Sequence, residues 1–478
     1  MSTDVALAVV GGGIAGLAAA YRALEYLPAH RIALLERESR LGGKIRTEES
    51  GGFLLEMGPD TLRLSGTPTA LCHALGLEKE LLHPNPEFAR LYIRRQGRLH
   101  PLSWGTATLR PETLWNLARS RLLSTPGLLR AAGEYFVPAR RETGDESIAG
   151  FFTRRFGEEF YAWVAEPLLA GIYGGASTEL SLEATLSGLR RMELEHGSVL
   201  GALLRSGPNH GRGGTAPTAG TATLRGGLEQ LVTALEKKLH RALVLKATPV
   251  VRLKRRDDRY LLSLAGGEEL TARAVILATP APAAAHMLED LDPLAAELLR
   301  DILFAPSVVV SLAFDRALME REFDAYGYLC PRAEKRPVRA VTWVSNKFAG
   351  RSPAGTALIR AVMSEACCEE FSKSATRGRD QPVVEAVLQE LRETLGIRAQ
   401  PLLWRVQYWN PGMPRYLVGH RHTVRRIRAR LEGHPGLQLA GCSYDGVGIP
   451  DCIASGFVAA DRACGNRRPG GLESAATC

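Results

Sequence analysis

The sequence predicts an α/β protein organised on a discontinuous parallel-sheet layer, and three stretches carry that prediction. The first is residues 7–36. Leu7 to Val10 is a short apolar run. Gly11-Gly12-Gly13-Ile14-Ala15-Gly16 follows at once, then a helically spaced segment over 17–26 and a second apolar run, Ile32 to Leu35, ending at Glu36. Strand, glycine turn, helix and strand make one βαβ unit. The second stretch is Ala274-Val275-Ile276-Leu277-Ala278-Thr279-Pro280, a buried strand leaving into a loop. The third is a strand from Leu437 to Ala440, a glycine turn and a helix over about 450–464. The layer is therefore assembled from the start, the middle and the end of the chain.

The first stretch also has a chemistry. Gly11 allows a tight turn, Gly13 lets backbone approach a pyrophosphate, and Gly16 lets helix and strand pack closely. Ile14 and Ala15 open the helix, whose free N–H groups suit phosphate. Glu36 lies twenty residues past Gly16, where an acid accepts ribose hydroxyls. Arg37 follows it, then Arg40-Leu41-Gly42-Gly43-Lys44 and Glu56-Met57-Gly58-Pro59. A mobile nicotinamide nucleotide needs no such second wrap. The pattern resembles the two-dinucleotide-binding flavoproteins, with a Rossmann-like domain holding FAD. That resemblance makes Arg37, Gly42, Gly43, Lys44, Gly58 and Pro59 cofactor contacts, ends the second signature at Thr279 beneath the cofactor, and sets Val250 near the adenine. Val447, Gly448, Ile449 and Trp409 belong to the flavin end. There the last helix would present its positive pole where reduced flavin gathers negative charge.

A chain of 478 residues has room for two or three domains. No run of 18 apolar residues appears, so a transmembrane helix is not expected. The apolar start is the βαβ unit, not a signal peptide. The eight cysteines show no CxxC or Cys/His ligand spacing, which predicts free thiols in a reducing cytosol and no metal. The net charge of +9 is a mild excess. Its densest run, Arg421, Arg425, Arg426, Arg428 and Arg430, reads as a solvated helix face, with attraction to anionic lipid or substrate as the second reading. Nucleic acid would call for a more concentrated patch.

The intervening chain alternates. A helix is expected over 68–82 and a strand over 87–93. In 98–141 arginines outnumber glutamates, and Trp104, Trp115, Tyr135 and Phe136 are interleaved with leucines. Its amphipathic segments, such as 114–123, suit a membrane interface or an ordinary helical subdomain. Residues 147–200 are mostly helical and contain Gly171-Ile172-Tyr173-Gly174-Gly175. Residues 206–222 form a loop, and a helix ends near 239. Strands are predicted at 244–246, 249–253, 260–264, 307–314, 338–344, 358–363 and 404–409, with helices at 293–303 and 382–395. The domains read as 1–86, 220–282 and 401–465 for the cofactor, and 87–97 with 283–400 as an inserted mixed-sheet substrate domain. A helical membrane-facing domain spans 98–200, a flexible loop 201–219 and a disordered tail 466–478.

The ordered motifs Val9 to Leu17, Gly58-Pro59, Gly171-Ile172-Tyr173, Gly226-Gly227-Leu228, Met413-Pro414-Arg415-Tyr416 with Gly419-His420, and Gly446 to Ile453 span almost the whole chain. Together they resemble the oxygen-dependent protoporphyrinogen/coproporphyrinogen oxidases of haem synthesis, within a superfamily that includes amine oxidases and carotenoid desaturases. The resemblance implies six-electron oxidation of a porphyrinogen in three rounds, each returning electrons to O₂ as hydrogen peroxide. FAD carries the chemistry, so no acid–base residue and no metal are needed. By position, Arg90 would pair with a substrate propionate, Gly171 would lie beside the tetrapyrrole, Tyr326 and Leu329 would sandwich its rings, and Met363 would face the reacting meso carbon. Arg90 tilts the expectation to protoporphyrinogen IX over coproporphyrinogen III. Asp60 and Arg415 depart from the family pattern. A cytoplasmic enzyme peripheral on the inner membrane face is implied, with a homodimer and a ferrochelatase-like downstream partner. The competing enzyme reading, a flavin amine oxidase, needs paired aromatic rings at the flavin, for which Tyr444 and Trp409 are the candidates.

Overall fold

The structure, a computed structural model, describes residues 3–103, 111–142, 144–170, 173, 177–205, 220–319, 323–373 and 380–465. Two seven-stranded sheets dominate it. In the first, Thr3–Val10 lies between Ile32–Leu35 and Glu269–Leu277, and Leu243–Leu245 extends the Ile32 edge. All these neighbours are parallel, in register Leu7↔Ile32 and Leu7↔Ala274. Leu437–Leu439 adds a further parallel strand, while Arg259–Leu264 and Val250–Arg256 continue antiparallel. The central strands read as unbroken apolar runs because both faces are covered. Helices Ile14–Ala23, Glu229–Lys238 and Ile449–Ala463 cover one face, and Ala281–Leu288, Pro293–Arg300 and His420–Leu431 the other. The three predicted stretches thus form one layer, as the sequence requires.

Small residues set how close the layers come. A Cβ on Gly16 would stand 1.9 Å from the Gly11 carbonyl oxygen, and one on Gly456 would stand 2.2 Å from the Ala15 carbonyl oxygen. The first and last helices therefore touch backbone to backbone beside the glycine turn.

The second sheet runs Leu403–Pro414, Phe304–Asp315, Thr356–Met363, Val338–Trp343, Gly327–Leu329, Arg90–Arg95 and Arg98–Ser103. Its neighbours are antiparallel except Gly327–Leu329 with Arg90–Arg95. Helix Gln381–Leu395 packs one face through Val383, Val384, Val387 and Leu391. The other face turns to the nucleotide layer, where Leu358 joins Phe53, Leu55 and Met57.

Three expected boundaries move. Helices Ala281–Leu288 and Pro293–Arg300 cover the nucleotide sheet, not the substrate part assigned to 283–400. Strand Leu403–Pro414 pairs with Phe304–Asp315 in the second sheet, not with the nucleotide domain assigned to 401–465. Residues 98–103 are an edge strand of that sheet, not the start of the helical region. An amphipathic pattern says that one face is buried; it does not say against which sheet. The helix expected over 68–82 ends at Ala74, since Gly76 takes a left-handed φ of +71°.

The helical region packs on Phe151, Phe152, Phe156 and Phe160. Ser124 and Ser147 cap two of its helices by accepting from Gly127 N (3.1 Å) and Gly150 N (3.0 Å). Its outside carries Trp115, Leu129, Tyr135, Phe136, Leu194 and Leu204 exposed, Phe136 at 81%. No helix among the described residues is long and apolar enough to cross a membrane. Of the expected loop at 201–219, residues 201–205 continue helix Val199–Arg205. Residues 206–219, the tail from 466, Trp104, Gly171, Ile172, Gly174 and Gly175 lie outside the described residues.

Candidate active site

The nucleotide crevice opens where the first strand ends. Gly11 has φ +107° and donates to Leu35 O at 2.8 Å, which turns the chain sharply into the first helix. Gly13 is the helix N-cap, with ordinary extended angles and no acidic side chain in the turn that follows. A Cβ on Gly13 would meet nothing within 4 Å. The helix N-terminus therefore faces open space bounded by backbone, the shape that a pyrophosphate needs. Gly42 pairs with Gly13, and a Cβ on Gly43 would stand 3.2 Å from Gly13 Cα, so the second glycine pair closes over the first.

Glu36 is 8% exposed and fixed by two backbone donors, Gly12 N at 2.6 Å and Glu38 N at 2.9 Å. Each carboxylate oxygen keeps lone-pair capacity for a ribose hydroxyl. Glu36 N donates to Leu245 O and Thr248 N to Glu36 O, both at 2.8 Å, which brings Val250 round beside this acid. Thr279 supplies a buried hydroxyl with no hydrogen-bond partner, its methyl 3.2 Å from a Cβ built on Gly11. An orphaned donor at the glycine turn fits a phosphate oxygen. The donor set, the acid and the open cradle all fit FAD. Arg37 is the exception: it is 65% exposed and pairs with Glu38 at 3.1 Å.

Gly58-Pro59 crosses directly over the wrap, since a Cβ on Gly58 would stand 1.8 Å from Lys44 O. At the flavin end, Gly448 caps the last helix and donates to Asp451 Oδ2 at 3.0 Å, with Val447 and Ile449 on either side. The preceding loop is braced from below. Tyr416 Oη donates to Cys442 O at 2.7 Å, His420 Nε2 meets Tyr444 O at 3.0 Å, and the Tyr416 and His420 rings stack at 3.9 Å. The Tyr416…His420 motif is thus a support for the flavin loop. Trp409 Nε1 donates to Met57 O at 2.8 Å, tying the second sheet to the wrap.

On the substrate side the expected residues separate. Arg90 is 61% exposed and pairs with Asp324 at 3.1 Å. Leu329 packs against the helical region on the sheet face away from Gln381–Leu395. Tyr326 is 3% exposed and its hydroxyl donates to Asn85 O at 2.7 Å, so its ring is core and not an open stacking surface. Met363 is 2% exposed among the residues that meet Gln381–Leu395, and its neighbour Val362 takes the other face. A one-residue difference along a strand exchanges the two faces, which is why position alone misplaced it. Gly171 lies outside the described residues.

Sequence reasoning missed the charges that converge on this face. Arg360 points from the second sheet to Gly58 O. Lys347 pairs with Asp60 at 2.7 Å. Burial alone would raise the Asp60 carboxyl, but Lys347 and Arg360 outweigh it and hold it at about 2. Two cations therefore meet one carboxylate beside the wrap. Buried Glu166, from the helical region, pairs with Arg339 and accepts Arg332 N at 3.1 Å. Arg415 pairs with Glu365 and with Glu369 (3.2 Å), which gives its extra charge a partner. No local signal marks these pairs, since Arg360 and Gly58 are 302 residues apart.

A parallel nucleotide layer wrapped by two glycine pairs and facing a mixed sheet defines an FAD-dependent oxidoreductase of the two-dinucleotide-binding class. The sequence profile of the flavin containing amine oxidoreductases matches residues 14–464. The chain belongs to that family and, within it, to the oxygen-dependent porphyrinogen oxidases of haem biosynthesis. It is 33% identical to coproporphyrinogen III oxidase of Bacillus subtilis over 94% of this chain and 96% of the relative. It is 27% identical to protoporphyrinogen oxidase 1, chloroplastic, of Spinacia oleracea, over 95% and 83%. A solved structure described as a candidate protoporphyrinogen oxidase from Exiguobacterium sp. 255-15 superposes with TM-score 0.83 at 29% identity, over 96% of this chain and 98% of that one.

Proposed function

We propose that this enzyme oxidises coproporphyrinogen III to coproporphyrin III, with FAD as cofactor and O₂ as the final acceptor. The observation that carries the choice is the higher identity to a coproporphyrinogen III oxidase, 33% against 27% for the plant protoporphyrinogen oxidase. It replaces the expectation of protoporphyrinogen IX, which rested on Arg90 alone. The charge pattern supports it: a substrate with four propionates wants more cations, and Arg360 and Lys347 bring two to one carboxylate, Asp60.

Bound FAD would supply the hydride acceptor and the route to O₂. The chain's own residues do the rest. The Gly13 turn, Glu36 and Thr279 hold the cofactor, and the loop braced by Tyr416 and His420 fixes its reacting end. The Arg360 face and Leu329 bound the cleft opposite, where the porphyrinogen, bent at its sp3 meso carbons, is held for hydride loss from one of them. Arg90 stands exposed at the start of its strand, free to exchange Asp324 for a propionate. Trp115, Leu129, Tyr135 and Phe136 support peripheral contact with membrane lipid from the cytoplasmic side. A homodimer and a ferrochelatase-like enzyme that receives the product complete the reading.

The amine oxidase reading loses its aromatic cage. Tyr444 is 3% exposed and packs with Val424 and Ile427 beneath the nucleotide sheet. The test is anaerobic mixing of the holoenzyme with each porphyrinogen, followed by air. Coproporphyrinogen III should bleach the flavin fast and then give porphyrin fluorescence. Bleaching by protoporphyrinogen IX alone would reverse the assignment, and bleaching by amines alone would end the porphyrinogen reading.

A further inference from the structure

We propose that Glu166, Arg332, Glu365 and Arg415 form one alternating path of ion pairs that sets the substrate walls against the flavin loop, with Arg332 and Arg415 as positioning residues for the oxidation. The inference rests on the proposed function for its reaction and on the pairs for its geometry. Glu166 pairs with Arg339 and accepts from Arg332 N at 3.1 Å, with Arg332 Nε 3.9 Å away. The Arg332 guanidinium donates to one oxygen of Glu365. Arg415 donates to the other oxygen of that carboxylate, and to Glu369 at 3.2 Å.

Each link belongs to a different wall of the site. Glu166 opens helix Glu166–Ala170, which runs straight into Gly171-Ile172-Tyr173. Arg332 and Arg339 flank the hairpin that carries Leu329: strand Gly327–Leu329 ends there, and Cys330 N donates to Arg339 O at 2.8 Å. Arg415 directly precedes Tyr416, whose hydroxyl holds Cys442 O beneath the flavin loop. The helical region grips the same turn through backbone, where Ser181 N donates to Tyr416 O at 2.7 Å and Val418 N to Glu179 O at 3.0 Å. A shift of the helical wall or of the Leu329 hairpin therefore reaches the flavin loop through Arg415.

Burial separates this path from surface pairing. Exposed pairs contribute little, but Glu166 is 3% exposed, so its carboxylate must keep its cations or stand as a bare buried charge. A π-helical turn, Tyr161–Ala165, comes just before it, a device frequent at functional sites. Arg415 Nε is buried with no hydrogen-bond partner among the described residues. That loss would be relieved if the side chain swung outward, and Glu365 and Glu369 hold it inward at that cost. By contrast, buried Arg155 pairs with Glu134 and Glu193, all three inside the helical region. That cluster stabilises one region, whereas the path from Glu166 to Arg415 joins three.

The test follows anaerobic flavin bleaching by coproporphyrinogen III in holoenzyme, with FAD verified by absorbance. Wild type is compared with Arg415→Met, Arg332→Gln and the double variant. Each single variant should lower kcat about tenfold and leave KM within about twofold, since misalignment slows the reaction where no substrate contact is lost. The double variant should be no slower than the slower single one, because either cut opens the same path. Arg415→Lys, which keeps the charge, should recover most of the rate. The visible circular dichroism of bound FAD, recorded without substrate, should shift in Arg332→Gln as it does in Arg415→Met. The Arg332 side chain is 47% exposed, so its variant carries the test if Arg415→Met fails to fold. An unchanged flavin band in Arg332→Gln, a raised KM at wild-type kcat, or a double variant about a hundredfold slower overturns the proposal. Wild type that coproporphyrinogen III does not bleach would sink the proposed function, and the flavin band would still decide the path.

Discussion

The nucleotide crevice and the cleft opposite it are built by opposite devices. The crevice is made of backbone brought close to backbone: Gly11, Gly16, Gly58 and Gly456 stand where a single added carbon would meet a carbonyl oxygen at 2.7 Å or less. The cleft is made of long side chains reaching across sheets, as Arg360 does to Gly58 O and Lys347 to Asp60. Close backbone approach tolerates almost no substitution, whereas a charged pair tolerates partial loss. Damage in the crevice should therefore be all-or-none, and damage in the cleft graded.

The largest expected effect is Gly456→Val. Its side chain would drive the first and last helices apart, costing about 3 kcal/mol or more, and soluble yield and Tm should both fall. A folded, FAD-loaded Gly456→Val protein would break the comparison. Gly13→Ala sharpens it from within the same turn. Nothing lies within 4 Å of that Cβ and its φ of −69° suits alanine, so Tm of the apoprotein should hold while FAD content collapses. A yellow, fully loaded variant would remove the pyrophosphate from this position.

In the cleft, Arg360→Ala should retain FAD and raise KM for coproporphyrinogen III about tenfold, as expected for a lost charge-assisted contact. An unchanged KM would take Arg360 out of the site. Glu56 tests electrostatics inside the crevice. It accepts from Leu228 N at 2.7 Å and Thr47 Oγ1 at 2.9 Å, yet burial outweighs these bonds and raises its carboxyl from 4.5 to about 7. A raised folded pKa means that its contribution is full below 4.5 and is lost as pH rises through about 7. Wild-type stability should fall across that window by up to about 3 kcal/mol relative to Glu56→Gln, and denaturant titrations of both at several pH values would show it. Parallel pH profiles would count against the shift. The smallest effect belongs to Arg90→Ala, whose exposed pair with Asp324 is worth under about 1 kcal/mol. KM should rise a few-fold with FAD content unchanged, and a wild-type KM would leave Arg90 as surface.

The same contrast decides what could be read from the chain. The βαβ unit, Glu36 and the glycine pairs were legible because local spacing states where a turn must be tight and which acid follows. The strand Glu269–Leu277 that leads to Thr279 and the helix after Gly448 were legible for the same reason. Arg37 carried no such constraint, since the residue after the ribose acid is free to turn outward, as its pair with Glu38 shows. Tyr326 and Met363 turn into the core, because position along the chain does not say which face a residue takes where a bulge or a short strand intervenes. Arg360, Lys347, Arg339 and Glu166 carried no signal, since an isolated charge gives no hint of a partner hundreds of residues away.

The sequence by itself determined the nucleotide layer, its cofactor class and the order of its pieces, because backbone conformation and helical or strand period are local properties. Only the tertiary structure decided which helices cover which sheet, that Leu403–Pro414 closes the second sheet, and that Asp60 meets two cations. Those outcomes depend on packing and on charges meeting in space.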